Sequence, residues 1–285
     1  MGATQVNEFA RPFGRRFELK RELKVAEQLA LEAGELLRFR QRGDLEIRYK
    51  ANGEIVTPSD LAANEIICHG LAAAFDDDSI CSEEAWAAAM LAKQDRVWIV
   101  DPLDSTSNYV QRGDEYCVSI GLAIGGKATL GVVYNPVRNE LFSGFLGHGA
   151  YCNGVTVRTS STVSTDRPSW LISSKEWKRG LEHAMTTLTV QPMASMAYKL
   201  ARVAAGREDA VLSLKQRKPW GTCAGAALVE AAEGRVTALD GQPLVFDCVD
   251  LRTFDGLAAA GNGFHGSVLN LACGLRSSTK TPGSA

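Results

Sequence analysis

Asp101 and Asp104 stand at the end of an apolar run, Val97 to Val100, that reads as a buried strand. Pro102 between them removes a backbone donor and turns the chain. Ser105-Thr106-Ser107-Asn108 follows, residue types that open helices and tight turns and leave backbone N–H groups free. Hard carboxylate oxygens beside unpaired N–H donors can hold a divalent cation and a phosphate side by side. That combination suits metal-assisted phosphoryl chemistry. Two like charges this close also need a cation or water in order to coexist. Asp60 and Glu83 share the same context, each ending a strand or opening a helix beside small polar residues. Any one of these acids alone reads equally well as a helix cap. The Thr106 hydroxyl is placed to orient a water, with Glu83 as proton acceptor.

The surrounding elements must deliver these groups to one place. Phe17 to Arg40 carries apolar residues at helical spacing and predicts a long amphipathic helix. Leu45 to Tyr49 reads as a short strand, and Lys50-Ala51-Asn52-Gly53 as a hairpin turn. Thr57-Pro58-Ser59-Asp60 predicts a helix start capped by Ser59, with the helix running on from Leu61 to Phe75. Ser79 to Ser82 is a strand that delivers Glu83 and Glu84. Tyr116 to Ile124, Ala128 to Tyr134 and Glu140 to Phe145 read as antiparallel strands joined by Gly125-Gly126 and Asn135-Pro136. Beyond a polar stretch from Ser160 to Ser169, the pattern alternates. Trp170 to Ser173 and Ala210 to Leu214 are strands; Ser195 to Ala205 and Gly221 to Ala232 are helices. This predicts a mixed sheet covered on both sides. The domain reading is an arm over 1–16, an α+β subdomain with the metal site over 17–160, an α/β subdomain over 161–273 and a flexible tail over 274–285.

Composition narrows the class. The chain has 285 residues, 45% hydrophobic and 22% charged, with a net charge of −2. No basic field argues for a nucleic-acid polymer or an anionic membrane surface, and no apolar run is long enough to span a bilayer. The seven cysteines and four histidines are scattered singly. That pattern predicts reduced thiols in a cytoplasmic protein and no zinc site.

The motifs together resemble the inositol monophosphatase superfamily, which includes inositol monophosphatases and 3′(2′),5′-bisphosphate nucleotidases. Trp98 to Tyr109 matches W-x-x-D-P-[IL]-D-G-T-x-x-[FY] except that Ser105 replaces the glycine. Val56 to Asp60 matches V-T-x-x-D, Ser82-Glu83-Glu84 matches the acidic motif, and Gly131 to Pro136 and Gly149 to Gly154 resemble two further segments. The resemblance implies a layered α-β-α-β-α sandwich of the inositol monophosphatase and fructose-1,6-bisphosphatase type, acting as a homodimer on a small phosphorylated substrate. It implies that Glu83, Asp101 and the Leu103 carbonyl hold one Mg²⁺, that Asp101 and Asp104 share a second, and that Asp60 reaches a third, looser ion through water. It also implies that the Ser105 and Thr106 amides bind phosphate and that Thr106 with Glu83 activates water. Lys50 is a candidate to screen phosphate charge, and Ser195, Met196 and Lys199 are candidates for the substrate wall.

The chain departs from this pattern at two places. The family's last metal ligand lies in W-D-x-[AC]-A-G, and here Trp220-Gly221-Thr222-Cys223-Ala224-Gly225 puts Gly221 where that aspartate belongs. The second metal site is therefore expected to be weaker, because hard cations take affinity from ligand charge and count. Ser105 is the other departure, beside the phosphate. Three explanations stay open: an active phosphatase with a weak second site, a degenerate relative that binds without hydrolysis, or a ligand-removing substitution introduced to trap substrate. The run Lys215-Gln216-Arg217-Lys218 resembles the nucleotidase side of the superfamily, where a second phosphate needs neutralising; a solvated charged loop is the other reading. The expected activity is Mg²⁺-dependent hydrolysis of an inositol phosphate, sugar phosphate or 3′-phosphonucleotide.

Overall fold

The computed structural model describes residues 18–85, 95–161, 168–178, 189–246 and 253–278. The expected N-terminal arm lies outside these residues. Two helices cover one face of the first sheet. Helix α1 (Lys20–Arg40) buries Leu23, Ala26, Ala30, Ala33 and Leu37 along one stripe, as its periodicity requires. Helix α2 (Pro58–Ala74) buries Ala63, Ile67 and Leu71. Its cap is Thr57 rather than the expected Ser59. The Thr57 hydroxyl and the Asp60 carboxylate exchange hydrogen bonds with each other's backbone in a capping box, and Pro58 takes the first turn where no donor is needed. Between the helices lies a two-strand ribbon, β1 (Arg48–Tyr49) with β2 (Ile55–Val56). The predicted strand from Leu45 shortens to two residues, both exposed, because this ribbon has no face to bury.

The first sheet has seven strands in sequential order: β3 (Ser79–Ser82), β4 (Arg96–Asp104), β5 (Cys117–Ile124), β6 (Lys127–Asn135), β7 (Glu140–Phe145), β8 (Gly149–Cys152) and β9 (Val155–Val157). Only the β3–β4 pair is parallel. A short helix, α3 (Thr106–Val110), follows β4 directly. The second sheet has the order β11-β10-β12-β14-β13, from β10 (Ser169–Ser173), β11 (Thr189–Met193), β12 (Ala210–Arg217), β13 (Gly234–Thr237) and β14 (Phe254–Gly261). Its β11-β10-β12 part is parallel and its β12-β14-β13 part antiparallel. A single turn, α4 (Ser174–Glu176), follows β10.

Helices α5 (Met196–Ala204) and α6 (Cys223–Ala231) form the middle layer, and their apolar side chains share one core with both sheets. Gly121 and Gly131 are register partners on β5 and β6, directly under α6. A Cβ at Gly121 would stand 2.7 Å from the Cys223 sulfur, and one at Gly131 would overlap the Ala224 carbonyl. The two glycines thus let α6 lie flat on the sheet. This close approach sets the position of residues 219–222, just ahead of the helix. Helix α7 (His265–Ser278) closes the far side, burying Val268, Ala272 and Leu275 against the second sheet. The layers run α-β-α-β-α, as expected. The tail expected from Gly274 is helix as far as Ser278, held by burial of Leu275, and its remaining residues lie outside those described.

Candidate active site

Asp101 and Asp104 owe their meeting to a fault in the ladder. In a regular strand, residues three apart face opposite sides of the sheet. Here Asp101 pairs with Ser119 and Asp104 with Cys117, so β4 carries one extra residue in a bulge. Pro102 sits in that bulge, where its missing donor costs nothing. Both carboxylates consequently line one cavity of about 500 Å³, together with Glu83, Ser105, Thr106 and Gly221. Asp101 is buried and takes the Leu103 amide on Oδ1 at 3.1 Å. Asp104 Oδ2 accepts the Ser195 hydroxyl at 2.6 Å and the Ala197 amide at 2.7 Å. Their remaining oxygens converge on Gly221: a Cβ there would lie 3.6 Å from Asp101 Oδ2 and 3.7 Å from Asp104 Oδ1.

Glu83 arrives from the end of β3, its amide bonded to the Val100 carbonyl at 3.0 Å. Lys50, from the ribbon turn, bridges Glu83 at 2.9 Å and Glu84 at 2.7 Å. Burial opposes the Lys50 charge, but the two glutamates outweigh it and hold the ammonium above its usual range. Lys50 does not line the cavity; Gly53, Glu54 and Ile55 of the same ribbon do.

The acids carry an electrostatic debt. Burial pushes the Asp101 carboxyl well up, and the charges of Glu83 and Asp104 push it further. Glu83 is raised by burial and by Glu84 and Asp104, with Lys50 pulling the other way. Asp104 is raised by burial, against hydrogen bonds from Ser195 and Ala197. Buried, mutually repelling oxygens of this kind fit a hard divalent cation. Among the described residues, no three Asp, Glu, His or Cys side chains are grouped as they stand so as to hold a metal ion.

Asp60 serves a different neighbour. Its Oδ2 takes the Thr57 amide and hydroxyl, and its Oδ1 takes the Thr106 hydroxyl at 2.9 Å. It does not line the cavity but ties α2 to Thr106. Ser195 is buried, caps α5 by accepting the Tyr198 amide, and grips Asp104 instead of forming wall. Lys199 is fully buried with its Nζ on the Met193 carbonyl at 3.1 Å, outside the cavity lining. Burial, with Arg217 adding to it, lowers its pKa to about 7.

Ser105 holds φ +80° and ψ 56°, left-handed backbone that an L-residue adopts at a cost. The strain explains why a glycine suits this position. Residues 216–218 and 220–222 form the wall beyond Gly221, together with Lys175 and Met196. Sequence reasoning missed Lys175. It lies in α4, just after β10 and some forty positions before residues 216–218, and nothing local marks it.

A layered α/β sandwich with an acid-floored cavity at the end of β4 defines the class of scaffold: that of phosphate-ester hydrolases. The chain belongs to the inositol monophosphatase family, whose model matches residues 18–276. Inositol monophosphatase 2 of Solanum lycopersicum is 34% identical over 226 residues, covering 74% of this chain and 85% of its own. The Nus factor SuhB of Escherichia coli K12 is 31% identical over 232 residues, covering 77% and 85%. Among solved structures, the inositol monophosphatase of Anabaena superposes with a TM-score of 0.75 at 28% identity, covering 90% of this chain and 97% of its own. The Thermotoga maritima enzyme gives 0.79 at 26%, covering 90% and 99%. Among the described residues, no helix is long and apolar enough to cross a membrane.

Proposed function

We propose that this chain is a Mg²⁺-dependent phosphatase that hydrolyses a small phosphomonoester. The observation that carries the reading is the convergence of Glu83, Asp101 and Asp104 on one open cavity with Thr106 at its edge. Glu83, Asp101 and the Leu103 carbonyl would hold one Mg²⁺, and Asp101 with Asp104 a second. When bound, such ions neutralise the phosphoryl group and stabilise the oxygens entering and leaving an in-line displacement. The Thr106 hydroxyl donates its single proton toward Asp60 at 2.9 Å, with the Leu103 carbonyl a second, longer acceptor at 3.3 Å. The Thr106 oxygen is then left as an acceptor that can orient a water in the cavity. Glu83, raised by burial, is poised to receive a proton from that water. The amides of Ser105 and Thr106, at the open first turn of α3, are donors for the phosphate oxygens. By family likeness the proposal includes a homodimer and a cytoplasmic location.

Gly221 favours a second reading, a binding protein that has lost hydrolysis, because the oxygens of Asp101 and Asp104 facing it have no third carboxylate. Phosphate release from inositol phosphates, sugar phosphates and 3′-phosphonucleotides, with Mg²⁺ or Mn²⁺ titrated, separates the two. Metal-dependent turnover is the expected result. No turnover at saturating metal, with ligand binding retained, assigns the second reading.

A further inference from the structure

Strand β12 breaks where it reaches the cavity. Its pairing with β14 is regular from Ala210 to Ser213 and resumes at Gln216 one step out of register. Leu214 and Lys215 therefore stand in a bulge opposite the single residue Gly256. The bulge takes their amides out of the β14 ladder, and a backbone donor inside the fold needs another acceptor. One side chain serves both. Glu176 Oε1 accepts the Leu214 amide at 2.7 Å and the Lys215 amide at 3.2 Å. Its Oε2 takes Arg217 Nη2 at 2.7 Å, and the Ser213 hydroxyl lies 3.4 Å from both oxygens. That hydroxyl in turn accepts Arg217 Nε at 2.6 Å. Glu176 comes from α4, where the Ser173 hydroxyl accepts its own amide at 3.3 Å.

The Glu176 carboxylate is buried and does not line the cavity, yet the residues on either side of its contacts do: Lys175 before it, and Gln216, Arg217 and Lys218 after the bulge. Replacing a buried ion pair by apolar side chains is often neutral for stability, but no apolar side chain could take the two amides of the bulge. What the carboxylate fixes is the direction in which β12 leaves the sheet, and with it the wall opposite the acids. We propose that Glu176 is the positioning residue of that wall: through the bulge and through Arg217 it sets where residues 216–218 meet the body of a bound substrate, and it takes no part in the chemistry at the acids. The proposal deepens the phosphatase reading and, in its kinetic arm, rests on it.

Glu176→Gln keeps the size of the side chain and one acceptor oxygen but gives up the charge that holds Arg217. With myo-inositol 1-phosphate as the probe, KM should rise about tenfold and kcat stay within about twofold, because the contacts disturbed are those with the substrate body and not with the reacting centre. Inhibition by inorganic phosphate, which has no body to reach the wall, should be unchanged. Adding Glu176→Gln to Arg217→Gln should raise KM by less than Glu176→Gln does alone, since the two side chains act as one unit. Hydrogen exchange read by mass spectrometry needs no turnover; it should quicken over residues 213–218 and stay unchanged over α6. Should Glu176→Gln fail to fold, Ser213→Ala removes only the hydroxyl shared with Arg217 and should give the same split at smaller size. Unchanged exchange over 213–218 overturns the proposal. So does a loss confined to kcat, or a weakening of inorganic phosphate equal to that of the ester, since either marks a merely structural role. If the unmutated chain hydrolyses no phosphomonoester, the phosphatase reading falls; quicker local exchange with weaker calorimetric binding of myo-inositol 1-phosphate would still leave Glu176 positioning a binding wall.

Discussion

Gly221→Asp tests the site most directly. The added Cβ would make ordinary contacts, 3.6 Å and 3.7 Å from the nearest oxygens of Asp101 and Asp104, so a side chain can start here without moving the backbone. Its carboxylate then stands about 4 Å from two others, where each unit pair costs about 1 kcal/mol at the dielectric of water and about 4 kcal/mol at an effective value of 20. Proton uptake caps the penalty. At pH 7.5 it costs a carboxyl of ordinary pKa about 5 kcal/mol. In EDTA the variant should therefore lose about 2–5 kcal/mol, which lowers Tm by about 2–4 °C for each kcal/mol. Saturating Mg²⁺ should reverse the sign, because the new carboxylate becomes a ligand and binding to the folded state alone raises stability. The assay is thermal unfolding in EDTA and along a Mg²⁺ titration, with phosphate release followed in parallel. The Mg²⁺ midpoint should fall by about tenfold or more as ligand charge rises. An unchanged Tm in EDTA together with an unchanged midpoint would mean that residue 221 does not face the acids, and would refute the reasoning.

Two further outcomes follow from the same geometry. Ser105→Gly should stabilise the fold by about 1 kcal/mol, since the residue sits at φ +80° and glycine removes the left-handed penalty; Ser105→Ala should not, and equal urea midpoints for the two variants would exclude strain at this turn. The Tm rise caused by Mg²⁺ should grow as pH increases from 5 to 8. Burial and mutual repulsion hold Glu83, Asp101 and Asp104 above their unfolded values, so the folded state binds more protons and loses stability as pH climbs above about 4. A cation relieves that loss. A Mg²⁺-induced shift that stays constant over this range would contradict the placement of these carboxyls.

Sequence made the chemistry of the site legible because Asp101, Asp104, Glu83 and Thr106 combine residue type with spacing. It could not show the bulge that turns both aspartates to one face, since that depends on the register between β4 and β5. Nor could it show that Asp60 receives the Thr106 hydroxyl, or that Lys50 lies on Glu83 and Glu84. These are pairings between segments far apart in the chain. Two of the strands that escaped notice have separate physical reasons. β14 reads Phe-Asp-Gly-Leu-Ala-Ala-Ala-Gly, poor in β-branched residues, and is a strand because β12 and β13 flank it and both its faces are covered. β11 contains Pro192, which only its place at the sheet edge tolerates.

The missing carboxylate and the basic wall belong to one electrostatic argument. An aspartate at 221 would place negative charge between the acids and Lys218, and would repel any anionic group lodged there. Glycine removes that charge and leaves open the space between the walls. Lys50 offsets Glu83, while Lys199 and Arg217 favour the charge on Asp104. The cavity as a whole is thereby less negative than its acidic floor alone would suggest. A weaker hold on the second cation is then the consequence of the glycine. Gly221→Asp should therefore tighten Mg²⁺ binding in a calorimetric titration. An unchanged Mg²⁺ affinity would place residue 221 away from the acids.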